Sequence, residues 1–229
     1  MIASLMVGAL IGADQEPGKL FLMGGGSTTV EVTKAFIEEC GGENARLIVM
    51  AQTREDPARG LSSVELLQEN GAKNVALIAV DRVADGDRAA AAKELREAQG
   101  VWIPGGDQRL FVDRWSTEWL REEFGSAFKR GTNFFGTSAG AMIMSNPMIA
   151  GPGEAEGTVE IRPGIGLFEG LVDTHYRERN REARLKDGMK QVGHSRAIGL
   201  DAGEWVVVWK GEIIKIVGKP FVNEIPIKK

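Results

Sequence analysis

Short uninterrupted apolar runs alternate with stretches of helical periodicity over most of this 229-residue chain. Leu20-Phe21-Leu22-Met23, Leu47-Ile48-Val49-Met50, Val75-Ala76-Leu77-Ile78-Ala79-Val80 and Val101-Trp102-Ile103-Pro104 each predict a strand covered on both faces, since a half-exposed strand would alternate apolar with polar residues. Between them, Val30 to Cys40, Leu61 to Glu69 and Ala89 to Ala98 carry helical spacing, and Leu110 to Lys129 predicts one long amphipathic helix. A further apolar run from Asn133 ends in the small-residue turn Gly136-Thr137-Ser138-Ala139-Gly140, which passes into a helix at Met142. Gly151 to Gly157 reads as a loop, Gly170 to His175 as a strand with a polar end, and Arg177 to Gln191 as a helix. Trp205 to Trp209 and Glu212 to Val217, joined by Lys210-Gly211, predict a terminal hairpin. The expected fold class is α/β: a doubly wound, mostly parallel sheet with helices on both faces and a C-terminal β-hairpin.

The length suits one such domain, expected over residues 19–229. Residues 1–18 are expected to form an apolar N-terminal arm or the remnant of a secretory signal. The stretch Met1 to Ala13 has no charged residue, is too short to span a bilayer as a helix, and lacks a signal's basic start. The expected location is cytoplasmic, or exported if residues 1–13 are a signal remnant. Lys plus Arg number 28 against 32 for Asp plus Glu, a net charge of −4, so neither nucleic acid nor an acidic membrane is an expected partner. Cys40 is the only cysteine, which excludes a disulfide within the chain, and it reads as a small buried apolar residue. The two histidines, His175 and His194, have no metal-ligand spacing, so no metal and no other cofactor is expected.

Candidate chemistry centres on Gly136-x-Ser138-x-Gly140. This Gly-x-Ser-x-Gly pattern can lift a serine hydroxyl above the end of a sheet, although a serine capping a helix at a glycine turn reads the same. In parallel sheets ligands collect at the carboxyl ends of the strands. The turns at Gly24, at Gly105-Gly106-Asp107-Gln108 and at Ser138 should therefore meet His175 along one edge. Ser138 needs a base to accept its proton, and His175, following a strand end, is the better candidate than His194. An acid should hold the imidazole; Glu156, Glu154, Asp201 and Glu204 are candidates among which sequence order does not choose. Ala139 and Gly105 or Gly106 would supply N–H groups to an oxyanion. Asp173 shares a face with His175 on a strand, being two residues away. Arg177, Arg181 and Arg184 would share a helix face, either neutralised by Glu178 and Glu182 or forming a pocket for a substrate carboxylate. Gly24-Gly25-Gly26-Ser27 could open a phosphate site, but its spacing is not that of a dinucleotide fingerprint.

Taken together, Ile103-Pro104-Gly105-Gly106-Asp107-Gln108, Gly136-Thr137-Ser138-Ala139-Gly140-Ala141 and Val172-Asp173-Thr174-His175-Tyr176 with Arg179, Arg181 and Arg184 resemble cyanophycinase and its family. This family of serine peptidases also includes peptidase E, an aspartyl dipeptidase. The resemblance runs from about Lys19 onward. It implies a fold related to class I glutamine amidotransferase domains and a metal-free serine–histidine–acid mechanism. Ser138 matches the nucleophile, His175 the base and Glu156 the relay acid, with the Gly106 and Ala139 amides as the oxyanion hole. Gln108, Asp173, Thr174, Arg179, Arg181 and Arg184 match positions lining the substrate pocket. The implied activity is exopeptidase hydrolysis of aspartyl peptides of the β-aspartyl-arginine type, as in cyanophycin. The competing readings are an α-aspartyl dipeptidase of the peptidase E type and a non-catalytic binding module on the same fold. The expected partners are a peptide substrate and a second copy of the chain in a homodimer. Two residues depart from the cyanophycinase pattern: Thr174 replaces a usual glutamine, and Ala202 stands where an acidic residue commonly follows Gly199-Leu200-Asp201.

Overall fold

The computed structural model describes residues 15–228; most of the expected N-terminal arm, residues 1–14, lies outside the described residues. The apolar runs form strands β1 (Leu20–Met23), β2 (Arg46–Met50), β3 (Asn74–Ile78), β4 (Gly100–Ile103) and β5 (Asn133–Thr137). Residues β6 (Met148–Pro152), β7 (Val159–Arg162), β8 (Leu171–Thr174), β9 (Ala197–Leu200), β10 (Trp205–Trp209), β11 (Glu212–Val217) and β12 (Phe221–Asn223) complete the strands. The helices are α1 (Val30–Glu39), α2 (Leu61–Glu69), α3 (Asp85–Glu97), α4 (Gln108–Trp115), α5 (Thr117–Lys129), α6 (Ala139–Met142) and α7 (Glu182–Val192). Among these residues no helix is long and apolar enough to cross a membrane.

The main sheet has the order β11-β10-β1-β5-β4-β2-β3. Its five strands from β1 to β3 are parallel, and the C-terminal hairpin β10–β11 joins the β1 edge antiparallel. Alternate side chains along each strand feed opposite faces. Phe21, Met23, Leu47, Val49, Trp102 and Phe135 pack under α1 and α2 through Val32, Phe36, Val64 and Leu67. Leu20, Leu22, Ile48, Met50, Val101 and Phe134 pack against α3, α4 and α5 through Leu95, Phe111, Trp115, Leu120 and Phe124. Burial on both faces is why these strands read as continuous apolar runs. Cys40 joins the first of these cores, and burial pushes its thiol up to about 12.

Three expectations about elements are corrected. Leu110 to Lys129 is not one helix, because Ser116, at φ 69°, ends α4 and caps α5 by accepting a bond from the Trp119 N–H. A hydroxyl that satisfies the free N–H groups of a new helix stabilises the break that periodicity does not see. The helix expected from Arg177 starts only at Glu182, because residues 177–180 form a turn whose N–H groups at Arg177 and Glu178 donate to the Asp201 carboxylate. Gly151 and Pro152, expected in a loop, belong to β6, which pairs with β7 in a separate hairpin.

His175 follows a strand end as expected, yet β8 is not in the main sheet. It pairs parallel with β9 in a three-stranded sheet of order β12-β9-β8. The two sheets meet where the His175 N–H donates to the Gly24 carbonyl at 3.2 Å, just beyond β1, while the Ser138 N–H donates to the Met23 carbonyl at 2.9 Å.

Candidate active site

Ser138 ends β5 with φ 51° and ψ −116°, a backbone conformation uncommon for a residue with a Cβ. The glycines on either side permit it. A Cβ on Gly136 would collide with the Gly140 carbonyl, and one on Gly140 with the Ile103 carbonyl. The turn therefore closes only where both positions lack side chains, and it holds the hydroxyl above the sheet edge.

The Ser138 Oγ lies 3.1 Å from the His175 Nε2, within proton-transfer distance. His175, at φ 51°, is itself bent out of the strand path and turned towards the elbow. Its other nitrogen, Nδ1, is hydrogen-bonded to Glu178 Oε1. Glu156, expected in that place, instead occupies the exposed tip between β6 and β7 and makes no hydrogen bond to the imidazole. Glu154 sits in the same tip. Asp201 and Glu204 pair with Arg177, and Asp201 also ties down the turn that carries Glu178. The backbone N–H of Ala202 reaches Glu178 Oε2 at 3.4 Å. The carboxylate thus comes from the residue three places after the histidine, on the segment that sequence periodicity assigned to a helix and to neutralising arginines. No spacing in the sequence singled it out from the other carboxylates.

Gly105 packs against the elbow, where a Cβ would stand 3.2 Å from that of Ser138. Gly106 has no room for one beside the Thr53 carbonyl. Gly106 and Ala139 both border the cavity over Ser138, and Ala139 opens α6, so its N–H has no acceptor within the helix. These are the positions from which two N–H groups could hold an oxyanion.

The cavity of about 210 Å³ beside Ser138 and His175 carries Arg109, Arg179, Arg181 and Arg184 in its walls. Arg109 pairs with Asp107, whose carboxyl it holds below the usual range by hydrogen bonding; no motif in the sequence marks this pair. Asp173 is wholly buried and does not line the cavity. It receives the Nε and Nη2 of Arg184 at 3.0 and 2.7 Å and the Nη1 of Arg181 at 3.5 Å, so it positions arginines instead of meeting a ligand. Burial, and then the nearby Arg184, pull the Arg181 guanidinium below its ordinary pKa, with Asp173 opposing both. Arg179 is exposed at the rim. Gln108 borders the cavity, but its amide nitrogen is taken by the Ile149 and Ala150 carbonyls at 3.0 and 2.7 Å, which leaves only its Oε1 to serve a ligand. Thr174 lines the cavity, and its hydroxyl donates to the Met142 Sδ at 3.3 Å.

An α/β sheet that carries a serine on a strained elbow, an imidazole on its hydroxyl and a carboxylate behind the imidazole defines a serine hydrolase. The chain belongs to peptidase family S51, whose sequence pattern matches residues 20–216, and it is accordingly a hydrolase of the serine peptidase type. It is 30% identical over 200 residues to the cyanophycinase of Geminocystis herdmanii, covering 84% of this chain and 74% of that one. The cyanophycinase of Trichormus variabilis is 27% identical over 200 residues, covering 84% of this chain and 67% of the relative. A peptidase from an acI-B1 Actinobacterium superposes with a TM-score of 0.66 at 18% identity, over 91% of this chain and 98% of the other. A putative peptidase E of Listeria monocytogenes gives 0.62 at 15% identity, over 88% and 100%. These last two likenesses concern the fold, a mostly parallel sheet between helices.

Proposed function

We propose that the chain is a serine exopeptidase that hydrolyses aspartyl peptides of the β-aspartyl-arginine type through Ser138, His175 and Glu178. The observation that carries this reading is the 3.1 Å contact between Ser138 Oγ and His175 Nε2 at the mouth of a cavity walled by arginines. Ser138 Oγ attacks the scissile carbonyl while His175 Nε2 takes its proton. Glu178 keeps the remaining proton on Nδ1 and stabilises the imidazolium as it forms. The N–H groups of Gly106 and Ala139 receive the negative charge on the former carbonyl oxygen. His175 then gives the proton to the departing amine, leaving an acyl group on Ser138. A water, deprotonated by the same imidazole, releases the acid and restores the serine.

The arginines make the cavity selective for carboxylates. Arg181, partly stripped of water and only partly offset by Asp173, is placed to gain from an anionic ligand. Gln108 Oε1 adds an acceptor for a substrate N–H. Cyanophycinase relatives support the substrate class by their names.

A second reading, an α-aspartyl dipeptidase of the peptidase E type, is favoured by Thr174. With its hydroxyl proton given to Met142, this short side chain reaches less far into the cavity than a glutamine would, which suits a smaller dipeptide. The test is to incubate wild type and Ser138→Ala with cyanophycin and with a panel of α- and β-aspartyl dipeptides, and to identify the products. Wild type should release β-aspartyl-arginine from cyanophycin, and Ser138→Ala should lose roughly a million-fold in kcat. Cleavage of α-aspartyl dipeptides alone selects the second reading. Equal hydrolysis by both proteins places the nucleophile elsewhere.

A further inference from the structure

A second cavity, of about 240 Å³, opens on the opposite side of Ser138, over the ends of β4 and β5 on the α1 and α2 face; Gly25, Arg54, Ser63, Trp102, Gly105 and Thr137 contribute to its walls. Gly25 stands between this cavity and the imidazole, since a Cβ there would lie 2.6 Å from the His175 Cε1 and Nε2. Nε2 is the atom that returns a proton to the departing amine. The Gly25 backbone thus lies beside the proton-returning atom and also borders the cavity.

Two polar groups of this cavity are incompletely satisfied among the described residues. Arg54 donates from Nη1 to the Arg59 carbonyl at 3.0 Å and forms no ion pair. Burial, followed by the nearby Arg59, pulls its pKa below the ordinary arginine value, so the cation is held here without a counter-charge. Thr137 Oγ1 is buried without a hydrogen-bond partner. The carboxylates nearest in the chain are committed or turned out: Asp56 accepts from the Ala58 N–H, and Glu55 is exposed. Glu178 faces His175 and Ala202. In the first cavity, by contrast, Arg109, Arg181 and Arg184 already have Asp107 and Asp173.

Resting on the aspartyl-peptidase reading above, we propose that this cavity is the leaving-side subsite, in which Arg54, with Thr137 beneath it, binds the free α-carboxylate of an amino acid one residue beyond the scissile bond. A guanidinium with unspent donors is shaped for a carboxylate. The cavity, at about 240 Å³, lies below the roughly 300–1,000 Å³ of ordinary ligand sites, a size that suits one residue. Arg54 thereby measures a single residue past Ser138 and confines cleavage to peptide ends.

The test compares an aspartyl dipeptide that wild type hydrolyses with the same dipeptide amidated at its C-terminus, using wild type, Arg54→Ala and Arg54→Lys, each checked for folding by thermal melting. In wild type kcat/KM for the acid should exceed that for the amide by roughly ten- to a hundredfold, mostly through KM, as expected for loss of a charge-assisted hydrogen bond. The ratio should fall to about one in Arg54→Ala and recover in part in Arg54→Lys. Equal hydrolysis of acid and amide by wild type, or an unchanged ratio in folded Arg54→Ala, overturns the subsite and leaves the peptidase reading standing. If Arg54→Ala does not fold, the ratios for wild type and Arg54→Lys decide in the same way. Failure of wild type to cleave any aspartyl peptide removes the functional reading and the subsite together.

Discussion

Glu178 and His175 are held three residues apart in one tight turn, so the carboxylate that orients the imidazole depends on local backbone geometry more than on long-range folding. Glu178→Gln keeps the size of the side chain, removes its charge and can present an N–H to Nδ1, which favours the wrong tautomer. Measured on whichever aspartyl peptide wild type cleaves, kcat should fall by roughly a hundred- to ten-thousandfold with KM little changed. Glu156→Gln, on an exposed hairpin tip, should stay within about twofold of wild type. Comparable losses in the two variants would remove Glu178 from the mechanism. Ser138 and His175 were legible in the sequence because each sits in a short motif whose local geometry fixes its direction. The acid was not, because several carboxylates could reach one imidazole and only the turn at residues 177–180, tied by Asp201, decides among them.

Between β8 and α7, Asp173 does for the substrate cavity what Glu178 does for the imidazole. Its carboxylate has no exposed surface and receives two guanidinium groups from the start of α7. Removing one member of a buried ion pair strands the other. Asp173→Ala should therefore destabilise the protein by about 3–5 kcal/mol in urea unfolding, and raise KM in the fraction that folds. A change below about 1 kcal/mol would mean that the arginines find water or another anion. The sequence placed Asp173 on the same face as His175 and beside the arginine cluster, but as a residue touching substrate. Helix limits were its weakest feature, at Ser116 and at residues 177–181, because hydrophobic spacing continues through a break that side-chain hydrogen bonds create.

Across the whole molecule the parallel strands and their covering helices could be anticipated from apolar runs alone, since a strand buried on both faces has little freedom in composition. What could not be read was that β8, β9 and β12 form a sheet of their own, because an apolar run does not name its neighbour. Phe36 of α1 ties the main sheet together from one face, meeting the rings of Phe21, Trp102 and Phe135 at 5.5, 5.5 and 5.9 Å, and so spans β1, β4 and β5. Phe36→Ala should cost about 3–5 kcal/mol in stability. Tryptophan fluorescence and hydrolytic activity should be lost in one shared transition during denaturation. Separate transitions would show that the α1 face melts apart from the site.

The proposed nucleophile rides on one sheet and its proposed base on another, and a backbone hydrogen bond from His175 to Gly24 is one join between them. Turnover is thus a gauge of how two layers sit on each other. A substitution far from any substrate that slides this seam by a fraction of an ångström would silence the enzyme while leaving it fully folded, with every reacting group still present.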